Sequence, residues 1–420
     1  MPTTRTRPTP VPTASAPAPT SPSPLPPLRE VWFAAWPVVA VFILSNAAMP
    51  LYVVWQRHMG FSSGTLTLIF AAYMAGLLGA LLVAGVAADR IGRKPVLVPA
   101  LLVAIAACVI YATAGSVLTL VAARFLTGLA TGAAVSAGMA AVTDIAAGRR
   151  IGPLLASTAM VLGAGVGPLL AGVLSETAPA PTVTVFLVEI VLLLTALAAV
   201  VRMPLPPRHP KNTAAPVSAG TRPTWIRVPS VPRTNRRHLA LGLAAFAPGM
   251  TTTSFVLALG PSLLTGLLGT TNRTVAGAMA FGMFLTAAGV QFAVRRLALR
   301  TVLLASTAAT AASMLSLITA VRTTALAPLI AAVVLAGAAQ GMGQFGGLSL
   351  LSREVPIDRR AEANAALNAG GYLLAGLFPV ADGYLSDLIG LSAGTTTFGL
   401  TVITLAAAGA TLILTRSAKR

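Results

Sequence analysis

The stretch Gly85-Val-Ala-Ala-Asp89-Arg90-Ile-Gly92-Arg93-Lys94 is the part of this sequence that decides its fold. It concentrates charged residues and glycines in a chain of which only 9% is charged, and long apolar runs precede and follow it. A short polar segment between two apolar runs is typical of a loop that joins two membrane-spanning helices. The decapeptide therefore indicates a membrane protein, provided that the rest of the chain consists of such runs.

Composition indicates a polytopic membrane protein. Hydrophobic residues make up 56% of the sequence, and apolar runs of about 20 residues, the length that crosses a bilayer, recur along it. The net charge of +19 would suit nucleic acid only if the basic residues clustered on a soluble face. They lie between apolar segments instead, so we expect a lipid bilayer as partner and no nucleic acid. The single cysteine, Cys108, excludes a disulfide framework and a thiolate metal site, and we expect no metal.

Twelve apolar segments predict an all-α integral membrane fold, with twelve transmembrane helices in two pseudo-symmetric six-helix bundles. We place the helices at about 34–56, 63–88, 95–114, 117–143, 152–174, 181–201, 239–264, 274–294, 301–321, 325–350, 362–385 and 391–415. The predicted domains are a disordered Pro-rich cytoplasmic tail (1–30), an N-terminal bundle (31–201), a basic cytoplasmic linker (202–238), a C-terminal bundle (239–415) and a cytoplasmic tail (416–420).

The distribution of basic residues predicts the orientation. With the N-terminus inside, the tails and the even-numbered loops hold 25 of the 29 Lys and Arg residues. Lys and Arg concentrate in cytoplasmic loops of membrane proteins, so both termini and the linker are expected in the cytoplasm. The predicted location is the cytoplasmic (inner) membrane of a prokaryote.

A faint internal repeat relates the two halves at a shift of 211 residues. The segment Pro168-x-x-x-Gly172-Val-Leu174-Ser175-Glu176 aligns with Pro379-x-x-x-Gly383-Tyr-Leu385-Ser386-Asp387. Two similar bundles around a midplane site can rock to give alternating access. The repeat therefore favours a transport function.

Three segments resemble sequence patterns of the major facilitator superfamily. The decapeptide meets every specified position of Gly-x-x-x-Asp-Arg-x-Gly-Arg-Lys/Arg, the pattern between that family's second and third helices. The segment Arg124-Phe-Leu-Thr127-Gly128-Leu-Ala-Thr-Gly132 is similar to Arg-x-x-Gln-Gly-x-Gly, with two departures. The segment Gly163-Ala-Gly165-Val-Gly167-Pro168-Leu-Leu-Ala171-Gly172 is similar to the antiporter pattern Gly-x-x-x-Gly-Pro-x-x-Gly-Gly, with Ala171 in place of one glycine.

The resemblance implies a gate and a direction of transport. It implies a cytoplasmic charge network of Asp89, Arg90, Arg93 and Asp144 that locks the outward-open state, with Asp89 also facing the start of the eleventh helix near 362–364. Alternatively, the basic residues of the decapeptide only set the topology. The antiporter pattern implies export of substrate in exchange for protons.

The antiporter helix has a physical rationale of its own. Gly163, Gly167 and Ala171 recur at every fourth residue and form a smooth stripe that lets another helix approach closely, and Gly172 follows. Pro168 removes one backbone hydrogen bond and tends to bend the helix. The helix is predicted to slide or bend at a contact between the halves, or else to make ordinary small-residue packing.

Three charged residues within the spans are candidates for proton coupling. Arg124 remains charged and must face a partner or water inside a bilayer. Glu189 lies at a similar predicted depth, so we propose that it carries a proton to which Arg124 responds; the alternative is a structural ion pair or a protonated acid at a helix contact. Asp382, near the end of the eleventh helix, is either a third candidate or a solvated interfacial acid.

Several polar residues within the spans are candidates to line the cavity or to make hydrogen bonds between helices. These residues are Asn46, Tyr73, Gln340, Gln344, Asn364 and Asn368. The neighbouring residues are largely apolar, which favours an amphipathic organic substrate over sugars or phosphates.

The predicted function is secondary active export of a small organic compound, drug-like or metabolite, in exchange for protons. No metal-binding histidine pair, phosphate-binding loop or Ser/His/Asp set is apparent in the sequence. We therefore expect neither an enzyme nor a cofactor, and we expect a monomer. A proton-coupled importer and a non-transporting receptor or scaffold of the same fold remain alternatives.

Overall fold

The part of the chain that the structure describes is all-α. This computed structural model describes residues 28–146, 152–203, 231–269, 272–356 and 359–417. The helices of the first half are α1 (Leu28–Ala47), α2 (Tyr52–Met59), α3 (Ser63–Ile91), α4 (Lys94–Ala112), α5 (Val117–Ala133), α6 (Met139–Ile145), α7 (Gly152–Thr177) and α8 (Pro181–Arg202). Those of the second half are α9 (Arg236–Leu268), α10 (Arg273–Val294), α11 (Leu299–Thr323), α12 (Leu326–Glu354), α13 (Arg360–Ile389) and α14 (Leu391–Ser417).

These helices form the twelve predicted membrane crossings. Within the described residues, eleven of the twelve crossings are long and apolar enough to span a membrane. The remaining crossing is α13, which contains several acidic residues along its length. The fold is therefore that of a multi-pass membrane protein with two six-helix bundles. The predicted tail, much of the predicted linker and the end of the C-terminal tail fall at 1–27, 204–230 and 418–420, outside the described residues.

Two crossings are interrupted where the sequence predicted continuous helices. The first passes from α1 through a 3-10 turn at Met49–Leu51 into α2. Pro50 lies in that turn and has no N–H to continue the α-helical hydrogen-bonding pattern. The fourth crossing passes from α5 through a π-helical turn at Ala134–Gly138 into α6. Such wide turns bend helices and often occur at functional sites.

Local sequence sets the helix ends around the site. The Ser62 side chain accepts the Thr65 N–H at 3.2 Å and caps α3. Asn272 caps α10 in the same way, with Oδ1 accepting the N–H groups of Thr274 and Val275. At the other end of α3, Gly92 has φ +100°, a conformation that side chains disfavour. Gly92, the second glycine of the decapeptide, is therefore needed to turn the chain into α4.

Two pairs of helices make the most extensive contacts between the halves. The fifth crossing, α7, packs against the eighth, α10, and the second, α3, packs against the eleventh, α13. The internal repeat relates the fifth crossing to the eleventh and the second to the eighth, so the two pairs are pseudo-equivalent. We call the end of the bundle at which α3 meets α4 the Arg93 end, and the opposite end, at which α13 finishes, the Asp387 end.

Candidate functional site

The predicted charge network is present at the Arg93 end. Arg93 Nη1 lies 3.1 Å from Asp89 Oδ1, and Arg93 Nε lies 3.4 Å from Asp144 Oδ2. The arginine side chain is only 11% exposed, whereas both acids are largely in contact with solvent. Lys94 reaches across the first half and donates to the carbonyl of Val201 at 3.0 Å. The network therefore ties α3 and α4 to α6, all within the first half.

The fourth residue of the predicted network, Arg90, is exposed at the end of α3. The contact between Asp89 and the start of α13 stays a prediction, as does the role of the network in locking a state.

Arg124 lies inside an aromatic cage in the first half. Its side chain is fully buried, and Nη1 donates to the carbonyl of Ser45 on α1 at 2.6 Å. The guanidinium carbon lies 5.8, 5.1 and 4.8 Å from the ring centres of Tyr52, Phe70 and Tyr73. These distances are those of cation–π interactions. The cage is thus assembled from α1, α2 and α3 around a residue of α5.

The cage contains polar atoms that no described residue satisfies with a well-aligned hydrogen bond. These atoms are Arg124 Nε and Nη2 and the hydroxyl groups of Tyr52 and Tyr111, although Tyr111 lies within reach of both Arg124 and Tyr52. Tyr111 packs at the edge of the cage, with its ring stacked on Phe186 at 4.6 Å. Most buried polar groups in proteins are hydrogen-bonded, so a cluster of four that are not is a candidate binding feature.

Glu189 and Arg124 are not brought together. No acid of the described residues lies within 4.0 Å of Arg124, and both carboxyl oxygens of Glu189 are buried without a hydrogen-bond partner. Glu189 projects from α8 towards α4, where Cys108 is its neighbour. Similar depth in the sequence therefore did not imply contact, because the two residues project from different helices into different packing regions.

Asp382 is buried in the second half, with 5% of its surface exposed. Its Oδ2 accepts the Ser386 hydroxyl at 3.3 Å, and its Oδ1 has no partner among the described residues. The alternative of a solvated interfacial acid is therefore wrong for this conformation. Asp387 lies five residues further along α13 and is exposed, so the two acids of this helix have different surroundings.

The glycines of α7 pack against two different helices. A Cβ at Gly163 would lie 2.5 Å from the carbonyl oxygen of Val39, and one at Gly167 would overlap that of Ile43, so this stripe faces α1 in the same half. A Cβ at Gly172 would lie 2.5 Å from the carbonyl oxygen of Arg273 on α10. The helix therefore lies between α1 and the other half, with a close backbone contact on each side.

Pro168 belongs to the face of α7 that meets the other half. Its carbonyl oxygen lies so close to Gly277 of α10 that a Cβ at Gly277 would overlap it. The proline cannot donate a backbone hydrogen bond within α7. α7 therefore contacts α10 at the point where a backbone hydrogen bond of α7 is missing.

Two acids at the Asp387 end cap helices of the opposite half. Glu176, near the end of α7, accepts the backbone N–H and the Nε–H of Arg273 at 2.8 Å each, at the start of α10. Asp387, near the end of α13, accepts the N–H groups of Ser63 and Gly64 at 2.9 Å each, at the start of α3. We call these contacts the Glu176 cap and the Asp387 cap.

Sequence reasoning aligned these two acids but assigned them no role. The 211-residue repeat pairs Glu176 with Asp387, and their partner helices α10 and α3 are pseudo-equivalent as well. Helix N-termini attract carboxylates because their first N–H groups lack partners in the helix. The signal was therefore present in the repeat, and it became interpretable once the partner helices were known.

The candidate cavity residues occupy varied environments. Asn46 is buried and donates to the Ser45 hydroxyl at 3.0 Å. Gln340 Oε1 and Asn364 Oδ1 are buried without partners among the described residues. Tyr73, Gln344 and Asn368 are partly exposed. Asn46 and Tyr73 both lie beside Ser45 at the Arg124 cage, and the lining of a cavity by the six residues stays a prediction.

An apolar cavity of about 30 Å³ lies at the boundary between the halves. Met49 and Pro50 of the first crossing line it from one side, and residues of α9, α10 and α12 line it from the other. Its lining includes Met279 and Met283, whose flexible side chains adapt to varied shapes. In this conformation the cavity has room for about one or two water-sized groups, so an apolar or amphipathic substrate stays a prediction.

Comparison with known proteins gives a family match and partial relatives. The chain matches the family model of the Major Facilitator Superfamily over residues 31–298. Two proteins named Multidrug resistance protein MdtL, from Escherichia coli O139:H28 (strain E24377A / ETEC) and Shigella boydii serotype 18 (strain CDC 3083-94 / BS512), are each 34% identical to it over 115 residues. The aligned segment covers 26% of this chain and 29% of each relative.

Solved structures share the fold over most of the chain. A variant of the nucleoside transporter NupG is 11% identical, with a TM-score of 0.72 over 91% of this chain and 99% of that one. A bacterial homolog of the human lysosomal transporter Spinster, inward-facing and unoccupied, is 15% identical, with a TM-score of 0.70 over 92% and 96% of the two chains. At these identities the similarity shows a common fold.

Proposed function

Because this chain belongs to the Major Facilitator Superfamily, and is therefore a multi-pass membrane transporter rather than an enzyme, we propose that it exports a small organic compound in exchange for protons. The packing of α7 is the observation that carries the proposal. The segment that resembles the antiporter pattern lies between α1 and α10, with backbone contacts so close that glycine is required on both sides. A helix packed in this way can transmit a movement of one half to the other.

Alternating access is supported by the different contacts at the two ends. In this conformation the two caps join the halves at the Asp387 end, while Arg93 binds its acids within the first half. The distribution of basic residues supports a cytoplasmic position for the Arg93 end, and the capped end then faces outwards. We propose that the caps hold this side closed and that they break when the outward-open state forms.

Proton exchange is supported by two buried acids. Glu189 and Asp382 each have at least one carboxyl oxygen without a partner among the described residues. Neither makes an ion pair within 4.0 Å with a described cation. Ionisable residues within membrane spans are costly and commonly serve proton or ion pathways. We propose that both acids bind and release protons during transport.

The direction of transport is supported by the antiporter segment and by the partial relatives. The matched segment of MdtL belongs to proteins named for multidrug resistance, and it covers less than a third of their length. Since those relatives are bacterial, we propose the cytoplasmic membrane of a bacterium as the location, with both termini inside.

Transport by everted membrane vesicles tests the proposal. A panel of toxic organic compounds identifies a substrate by comparing the growth of cells with and without the protein. Vesicles with an acidified lumen should then accumulate that compound, and its addition should release protons from the lumen. An importer would not load such vesicles, and a receptor or scaffold would move nothing.

Variants of the two acids test the proton step. We expect Glu189→Gln and Asp382→Asn to reduce proton release while substrate binding persists, since each keeps the size of the side chain. Glu30→Gln, at the first turn of α1, is the matched control and should transport normally. Unchanged coupling in both test variants would contradict a proton role for these acids.

A further inference from the structure

The environment of Arg124 lacks a negatively charged group. The guanidinium is fully buried, and its one well-aligned hydrogen bond among the described residues joins Nη1 to the carbonyl of Ser45 at 2.6 Å. Within the described residues no carboxylate lies within 4.0 Å of it. Three aromatic rings surround it and offer only the weaker attraction of their faces. A buried charge is normally paired, because removing it from water is costly.

The unsatisfied atoms of Arg124 lie along one edge of the guanidinium. Nε and Nη2 are the two nitrogens without partners, and their N–H groups point in parallel from that edge. This edge matches the two oxygens of a carboxylate, which binds arginine through two parallel hydrogen bonds. Nη1, the nitrogen already bonded to Ser45, is not part of that edge.

Two hydroxyl groups extend this set of donors. Tyr111 lies within hydrogen-bonding reach of Arg124 and of Tyr52, but neither tyrosine hydroxyl makes a well-aligned hydrogen bond among the described residues. Each can donate one hydrogen bond. The cage thus presents a positive charge and up to four donors. A ligand with a negatively charged pair of oxygens would satisfy it, whereas a cationic ligand would be repelled.

The cage borders the interface at which α3 of the first half meets α13 of the second. Tyr73, whose ring centre is 4.8 Å from the guanidinium carbon, lies close enough to Tyr372 of α13 for the two to interact. The next residue, Met74, packs against Gly376 of α13. Separation of α3 from α13 would therefore expose the wall of the cage that is nearest to Arg124.

We infer that Arg124 and the hydroxyl groups of Tyr52 and Tyr111 form the recognition site for an anionic group of the substrate, so that the exported compound is an organic anion such as a carboxylate. This inference rests on the transport function proposed above and specifies its substrate class. Arg124 then recognises charge and has no need to exchange a proton.

Binding to purified protein tests the inference without requiring transport. The probes are benzoate, phenylacetate and 2-naphthoate, each compared with its uncharged amide and with the corresponding amine. We expect the carboxylates to raise the thermal unfolding temperature of the wild type and the amides and amines not to do so. Equal stabilisation by amide and carboxylate, or stabilisation by none of the three carboxylates, would overturn the inference.

Variants assign the effect to the cage. Arg124→Lys keeps the charge but loses the two-nitrogen edge, and we expect about ten- to a hundredfold weaker carboxylate binding. Tyr52→Phe should weaken binding by about fivefold and leaves the arginine in place. Arg322→Gln removes an exposed arginine and is the matched control. Carboxylate binding that survives Arg124→Lys and Tyr52→Phe unchanged would place the site elsewhere and refute the inference.

Charge movement in proteoliposomes separates this inference from the proposed proton exchange. Exchange of one monoanion for one proton moves two positive charges inward, whereas exchange of an uncharged compound moves one. A transported carboxylate should therefore respond more steeply to membrane potential than a transported amide. Proton-coupled transport of amides but not carboxylates would refute the anion site and leave the proposed proton exchange intact. Carboxylate transport without proton movement would refute the proton exchange and leave the anion site intact.

Discussion

The two ends of the molecule use acidic residues in different ways. At the Arg93 end, Asp89 and Asp144 bind an arginine of their own half at 3.1 and 3.4 Å. At the Asp387 end, Glu176 and Asp387 bind backbone N–H groups of the opposite half at 2.8 to 2.9 Å. The contacts of Arg93 lie within one half, whereas the contacts of Glu176 and Asp387 join the two halves and must break when the halves separate at that end.

The pseudo-equivalent caps also differ from each other. Asp387 uses each carboxyl oxygen for one N–H group of α3, those of Ser63 and Gly64. Glu176 uses a single oxygen for both the backbone and the side chain of Arg273. The two pseudo-equivalent positions thus share an acid and the helix end that it caps, while the chemistry of the contact differs.

Loss of the glycines beside the caps should have the largest effect. A Cβ at Gly172 would lie 2.5 Å from the carbonyl oxygen of Arg273, and one at Gly383 would lie 3.0 Å from Gly64. We expect Gly172→Val and Gly383→Val to prevent closure of the Asp387 end and to reduce transport by more than tenfold, since overpacking costs ~1–3 kcal/mol or more. Transport by purified protein in proteoliposomes measures the effect.

The control for this prediction is a glycine with open space. Gly282 lies on α10, and a Cβ there would meet no atom within 4 Å. Gly282→Val should retain transport within about twofold of the wild type. Normal transport by both Gly172→Val and Gly383→Val would show that close approach at this end is dispensable.

Removal of both caps should open the Asp387 end without preventing folding. Each carboxylate at a helix N-terminus contributes ~0.3–1 kcal/mol, so Glu176→Gln with Asp387→Asn should shift the conformational equilibrium by about three- to thirtyfold. The measure is maleimide labelling of Thr67→Cys, a buried position beside Gly383, in a Cys108→Ala background. Labelling that does not increase would show that the caps do not hold this end closed.

Much of the fold was predictable from sequence because it depends on apolar length and on positions that require glycine. The twelve crossings follow from apolar runs, and the triad of Asp89, Arg93 and Asp144 is present as predicted. The breaks within the first and fourth crossings were not predicted: Pro50 lies in the first, and at the second Gly138 packs closely against Val38 of α1, a contact that depends on the tertiary structure.

The candidate site was less predictable because its partners come from different helices. Depth along the chain suggested that Arg124 responds to Glu189, yet Arg124 binds Ser45 of α1 whereas Glu189 faces Cys108 of α4. The cage of Tyr52, Phe70 and Tyr73 depends on the bent first crossing and on α3. Neither relationship has a signal in a single sequence.

The two caps should respond unequally when removed one at a time. Asn at position 387 would replace one acceptor with an NH₂ group that faces a backbone N–H, whereas Gln at position 176 keeps an acceptor oxygen for Arg273. We therefore expect Asp387→Asn to raise Thr67→Cys labelling by about two- to fivefold and Glu176→Gln by less. The same labelling experiment at low and high salt compares them. A larger effect of Glu176→Gln at high salt would contradict this ranking, because salt screens its charge pair with Arg273.

Disruption of the Arg93 network should have the smallest effect, and one of the opposite sign. Its ion pairs are exposed on the acid side and contribute ~0.2–1 kcal/mol each. If the network locks the outward-open state, as the family resemblance implies, Asp144→Asn should leave Thr67→Cys labelling unchanged or lower it by up to about fivefold. Cap removal raises the same signal, so one assay distinguishes acids that close the Asp387 end from acids that favour its opening. An increase in labelling by Asp144→Asn would mean that the acids at both ends stabilise the same closed state, and the contrast between the ends would then be one of geometry alone.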